Sequence, residues 1–123
     1  MKQYRKQNNR AAGAAGEELA AEVLRAEGYE IVCRNFRNRL GEIDIIAREG
    51  GFLVFIEVKY RKGRRAGDPL EAVGWEKQRI ICRMAGVYLS MERMRADTPC
   101  RFDVVSITED EVRVIRGAFE FHL

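Results

Sequence analysis

Apolar residues recur at three-and-four spacing through Ala12, Ala15, Gly16, Leu19, Ala20, Val23 and Leu24. That spacing predicts an amphipathic helix from about Asn9 to Glu27, stopped by Gly28. The period then shortens to two, predicting strands over Tyr29–Phe36, Glu42–Arg48 and Phe52–Lys59. Glu49-Gly50-Gly51 between the last two is a hairpin signal, since glycine supplies the positive φ of a tight turn. With Gly50 and Gly51 as a two-residue loop, paired residues have numbers that sum to 101, so Asp44 faces Glu57 and Glu42 faces Lys59. Alternation then groups Leu53, Phe55, Glu57 and Lys59 with Asp44 on one face, and Phe52, Val54, Ile56 and Val58 on the other. Further on, Asp68-Pro69-Leu70-Glu71 resembles a helix start, with a cap, a first-turn proline and an acid three residues on. This second helix is predicted to reach about Met91, with a break near Gly74 and a stripe of Val73, Lys77, Ile80, Ile81, Met84, Val87, Tyr88 and Met91. A hairpin of Arg101–Ile107 and Glu111–Arg116 around Thr108-Glu109-Asp110 follows, with a short closing strand at Phe119–Phe121. The order α-β-β-β-α-β-β predicts an α/β domain, a mixed sheet flanked by helices.

Composition narrows the class. With 123 residues, 46% hydrophobic and 33% charged, the chain suits a single globular domain. The longest apolar run, Phe52–Ile56, is far short of the ~20 residues that a membrane helix needs. No apolar stretch follows the basic start MKQYRKQNNR, so a signal peptide is not expected and a cytoplasmic location is. Cys33, Cys82 and Cys100 form no CxxC pair and read as small buried hydrophobes. His122 is the only histidine. Histidine-based triads and multi-imidazole metal sites are therefore disfavoured, and any chemistry falls to carboxylates and lysines.

Charge is unevenly placed. Residues 1–10 hold Lys2, Arg5, Lys6 and Arg10 with no acid, and residues 59–65 hold Lys59, Arg61, Lys62, Arg64 and Arg65. Since the net charge is only +3, the remaining body is acidic. Two concentrated basic segments on an acidic body suit a polyanion. Residues 1–10 are expected to form a flexible basic arm and residues 11–123 a single domain.

The acids are the sharper signal. Glu17 falls at the border of the first helix's buried stripe, where a carboxylate needs a partner, cation or metal. Asp44 and Glu57 facing across a hairpin cost stability, which a purely structural sequence would avoid. Asp44 followed by Glu57-Val58-Lys59 offers oxygen ligands for a hard cation such as Mg²⁺ or Mn²⁺. Such an ion acidifies water and stabilises charge on phosphoryl oxygens, while Lys59 can orient or deprotonate the attacking water. Lys77, on the apolar stripe of the second helix, can reach toward these acids.

Gly16-Glu17, Ala20, Leu24 and Gly28-Tyr29, then Gly41-Glu42-Ile43-Asp44-Ile45-Ile46, then Val54-Phe55-Ile56-Glu57-Val58-Lys59 with Arg61, form a longer pattern. Continued through Pro69, Glu71-Ala72-Val73, Lys77 and Arg101-Phe102-Asp103-Val104-Val105, it resembles the YraN-like bacterial family. That family is similar to restriction-endonuclease-like and Holliday-junction-resolvase nucleases. The resemblance implies a PD-(D/E)xK core with Asp44, Glu57 and Lys59 in its central motif and Glu17 as the helical acid. It makes Lys77 and Gln78 secondary catalytic candidates. Ile43 stands where the wider motif has proline, and Tyr60 where a small polar residue is usual. The implied function is metal-dependent hydrolysis of DNA, with Glu17, Asp44 and Glu57 as metal ligands. Arg10, Arg61, Lys62, Arg64 and Arg65 are the expected phosphate contacts.

Three other readings remain open at this level: a buried ion-pair network, a non-catalytic nucleic-acid-binding accessory of a recombination or repair complex, and a protein-interaction module. With no recognition helix evident, any DNA preference is expected to be for branches or ends. A homodimer or a protein partner in DNA processing is compatible with the sequence.

Overall fold

The computed structural model describes residues 5–61 and 73–123, with side chains from Ala15 onward in the first segment. Helix α1 (Arg5–Ala26) is followed by strands β1 (Glu30–Asn38), β2 (Gly41–Glu49) and β3 (Phe52–Tyr60). Helix α2 (Trp75–Met91) and strands β4 (Cys100–Ile107) and β5 (Val112–Phe119) complete the order α-β-β-β-α-β-β. The strands form one sheet in sequence order. All neighbours are antiparallel except β3 and β4, which run parallel and are joined by the crossover that contains α2.

Alternation along β3 assigns each helix to a face. Val54 and Ile56 pack with Ala20, Ala21 and Leu24 of α1, together with Ile45, Ala47, Val105 and Ile107. Leu53 and Phe55 pack with Ile81, Met84, Ala85 and Tyr88 of α2, together with Ile46, Phe102 and Val104. The central strand is thus apolar on both faces, and its polar residues are confined to the end beyond Ile56.

Gly50 and Gly51 have φ of +58° and +87°, the paired positive values of a two-residue hairpin turn. The turn sets the expected register, and every pair from Glu49↔Phe52 to Ile45↔Ile56 obeys it. Pairing then stops. β2 begins earlier, at Gly41, and β3 continues to Tyr60, still paired with β4 through Tyr60↔Ile107. The two strands therefore part at Asp44 and Glu57.

Side-chain alternation also breaks here. Ile43 joins the α2 side while Ile45 joins the α1 side, although residues two apart normally share a face. On the neighbouring strand, Arg34↔Ile45 and Phe36↔Ile43 pair while Asn35 and Asp44 between them do not. Asn35 has φ +55°, a left-handed conformation that asparagine tolerates better than most residues. The sheet is thus creased at Asp44, which lets that side chain leave the face of Phe55 and Leu53.

Several boundaries differ from expectation. α1 begins at Arg5, not Asn9, because Arg-Lys-Gln-Asn-Asn-Arg holds no proline or glycine to stop the helix. It therefore takes in residues 5–10 of the expected arm. α2 begins at Trp75 behind an extended Gly74, while the expected start at Asp68–Glu71 lies outside the described residues. Met91 is exposed; Cys82 and Ala85 complete the buried face instead. Phe119 ends β5 and no strand covers Phe121, which is exposed. Cys82 is buried, whereas Cys33 and Cys100 are half-buried.

Candidate active site

Where β2 and β3 part, Val58 N–H is left without a ladder partner and donates instead to Asp44 Oδ2 at 2.8 Å. The Asp44 carboxyl thus plugs the opening between the strands. Burial, the charge of Glu57, a hydrogen bond to Glu57 and the charge of Glu42 push its pKa up to about 7, against the opposing pull of the Val58 amide.

Three elements bring acids to this point. Glu17 of α1, Glu42 and Asp44 of β2 offer carboxylate oxygens that lie within 4.8 Å of one another. α1 can approach closely because residue 16 is glycine: a Cβ there would stand 3.0 Å from the Tyr60 ring. Burial, then Asp44 and Glu42, raise the Glu17 pKa, and Arg34 and Arg37 moderate the effect. Asn35 spans the group. With its amide nitrogen turned inward, it donates to Glu42 Oε1 at 2.9 Å and Glu17 Oε1 at 3.2 Å.

Glu57 enters from the other side of the crease. It is 7% exposed, and Lys77 of α2 reaches it with Nζ 3.6 Å from Oε2. That is close enough for charge attraction but too long for a hydrogen bond, and Oε2 has no hydrogen-bond partner.

A second buried acid shows how the fold treats one that it needs only for structure. Asp103 is fully buried and accepts from Tyr29 Oη at 2.6 Å, Arg101 Nε at 2.9 Å, Arg101 Nη2 at 2.8 Å and Gly117 N at 2.9 Å. Arg101 also pairs with Glu49 at 2.7 Å. Every lone pair there is met by a donor. The Asp44 group has a different character: four acids crowd together, and the buried Glu57 Oε2 makes no hydrogen bond.

An ion fits this donor set. Carboxylate oxygens within 4.8 Å of one another can share one hard cation, whose oxygen ligands lie at roughly 2.0–2.6 Å. Glu57 Oε2 adds a buried oxygen that makes no hydrogen bond and has Lys77 as a charge partner at 3.6 Å.

The expected site residues are placed as follows. Glu17 and Asp44 lie in one carboxylate group with Glu42, and Glu57 adjoins that group through Asp44. Glu42 does not face Lys59: it pairs with Arg37 of β1, because β2 has already left β3. Lys59 lies half-buried opposite Ser106 of β4 and forms no ion pair among the described residues. Gln78 is turned away from the acids, its Nε2 donating to Val73 O at 2.9 Å and its Oε1 contacting His122 at 3.0 Å. The Arg61 amide donates to Ile107 O at 2.7 Å as the chain leaves β3. Lys62, Arg64, Arg65 and the Arg10 side chain lie outside the described residues. Two members of the group, Glu42 and Asn35, were not among the expected ligands. Glu42 is signalled by its i, i+2 spacing from Asp44, which nominally shares a strand face, but the fold of Asn35 has no such sign.

The sheet order and flanking helices are consistent with the restriction-endonuclease-like fold class. Within it, residues 16–107 match the Uncharacterised protein family UPF0102, and the chain belongs to that family. A UPF0102 protein of Lachnoclostridium phytofermentans is 50% identical over 113 residues, covering 92% of this chain and 96% of that one. One from Symbiobacterium thermophilum is 50% identical over 117 residues, covering 90% and 98%. One from Rhodococcus opacus is 46% identical over 117 residues, covering 91% and 98%. Among the described residues no helix is long and apolar enough to cross a membrane.

Proposed function

We propose that this protein is a metal-dependent nuclease that hydrolyses DNA phosphodiester bonds, with a preference for branched DNA or ends. The observation that carries the reading is a buried Glu57 oxygen without a hydrogen-bond partner, beside an Asp44 whose ionisation burial and like charge oppose. A fold keeps such an arrangement at a cost, and a divalent cation removes that cost.

In this reading Glu17, Asp44 and Glu57 hold Mg²⁺ or Mn²⁺, with Glu42 as a further oxygen donor. The ion supplies charge stabilisation for the phosphoryl group and acidifies water. Lys59 is the candidate to orient the attacking water and neutralise charge developing on the phosphorus oxygens. Lys77 holds Glu57 in place. Asn35 fixes Glu17 and Glu42 relative to one another. Arg10, Arg61, Lys62, Arg64 and Arg65 would grip backbone phosphates through charge without reading bases.

The test is cleavage of labelled single strands, linear duplex, flaps and four-way junctions with Mg²⁺, Mn²⁺ or EDTA. Wild type is compared with Asp44→Asn, Glu57→Gln and Lys59→Met. Metal-dependent cutting that falls at least ~100-fold in each variant supports the reading. Equal cutting by all four proteins, or none on any substrate with either metal, overturns it. DNA binding that persists in Asp44→Asn, without metal uptake or cutting in wild type, would identify a non-catalytic nucleic-acid-binding module.

A further inference from the structure

Trp75 is the only tryptophan in the chain, and it is 65% exposed at the first turn of α2. Its indole lies against the His122 imidazole with ring centroids 3.8 Å apart and planes 13° from parallel. The histidine is held in turn by Gln78, whose Oε1 lies 3.0 Å from Nε2. A ring with one face covered can be this exposed only if its other face is open. The indole is therefore fixed from behind and presents a flat apolar surface to solvent.

Its surroundings favour one kind of occupant. Arg79, one helical turn on, is 44% exposed and only loosely paired, 3.5 Å from Glu76. Arg83 follows a turn later, exposed and with no ion pair among the described residues. An aromatic plate followed by guanidinium groups along one helix matches a base followed by its backbone phosphates. Lys77, two residues from Trp75, sits against Glu57 of the acidic group. The plate thus shares the first turn of α2 with Lys77 but points to another side of the helix.

We infer that Trp75, backed by His122, is a stacking platform for an unpaired nucleobase of a bound strand whose phosphates follow Arg79 and Arg83. This rests on the nuclease reading and narrows its substrate to nucleic acid with unpaired bases, since a paired base has no free face to offer. The platform orients the strand; it does not touch the reacting atoms.

Because Trp75 is the sole tryptophan, intrinsic fluorescence of the full chain reports on it directly. In EDTA, where the candidate centre holds no metal, the protein is titrated with a single-stranded oligonucleotide, the matching duplex and an abasic strand of equal length. The platform predicts quenching by the single strand and little by the other two. Anisotropy of a labelled single strand should show binding weakened about 5- to 100-fold in Trp75→Ala and largely kept in Trp75→Phe. Equal quenching by the abasic strand, or unchanged affinity in Trp75→Ala, overturns the platform. Cleavage assayed separately distinguishes the two failures. A protein that cuts DNA without stacking keeps the function and loses the platform, while one that stacks single strands but cuts nothing keeps the platform and loses the function.

Discussion

Replacing Asp44 by asparagine should stabilise the metal-free protein at alkaline pH while removing a ligand of the proposed metal site. An aspartate has a pKa near 3.8 when unperturbed and about 7 in this fold, chiefly because it is buried and next to Glu57. A carboxyl whose folded pKa is raised binds its proton more tightly in the native state than in the unfolded one. Its ionisation therefore costs nothing below the unfolded value, and costs progressively more as pH rises from about 3.8 through about 7, where the cost levels off. At ~1.36 kcal/mol per pKa unit, the full cost is about 4 kcal/mol, of which roughly 2–3 kcal/mol accrues between pH 5 and pH 8. Asparagine does not titrate, and its carbonyl can still accept from Val58. Any constant cost of the substitution cancels when the two pH values are compared. The difference in stability between Asp44→Asn and wild type should thus grow in the variant's favour by roughly 2–3 kcal/mol from pH 5 to pH 8. For a chain of this length that is roughly 10 °C in melting temperature. Urea or thermal unfolding in EDTA at the two pH values measures it. A difference that is the same at both, or larger at pH 5, would refute the reasoning that Asp44 is held protonated by burial and like charge.

Other consequences follow from the same contacts. Millimolar Mn²⁺ should raise the melting point of wild type, by about 10 °C at a hundredfold excess over Kd, and leave Asp44→Asn unmoved in a thermal shift assay. Lys77→Met removes the only cation near Glu57 Oε2 among the described residues, and should lower stability in EDTA by about 1 kcal/mol in urea unfolding. Asp103→Asn leaves Arg101 with Glu49 as its remaining acid partner among the described residues and weakens bonds to Tyr29 and Gly117; it should cost about 3–5 kcal/mol in urea unfolding while the remaining folded protein binds Mn²⁺ as wild type does.

Much of this arrangement is legible in the chain because a few residues constrain it strongly. Gly50-Gly51 sets the β2–β3 register, which runs to Ile45↔Ile56 and leaves Asp44 and Glu57 next to each other where the strands part. The apolar residues on both faces of β3 require a helix on each side, which α1 and α2 provide. Periodicity carries no sign of where a ladder ends, so the parting of β2 from β3 after Ile45↔Ile56 was not legible. It depends on the crease at Asn35 and Asp44, a tertiary effect that also moves Glu42 away from Lys59 and toward Glu17. The Trp75–His122 stack is not legible in the chain for a similar reason. Its members are 47 positions apart, and nothing local to the tail announces that it returns to α2.

The central claim is that the acids gathered at the parting strands form a metal centre. Calorimetric titration of Mn²⁺ into wild type, Asp44→Asn and Glu57→Gln at pH 7.5 tests it most directly. The account predicts saturable binding to wild type, lost or weakened at least ~30-fold in both variants. No binding to wild type, or equal binding by all three proteins, would contradict it.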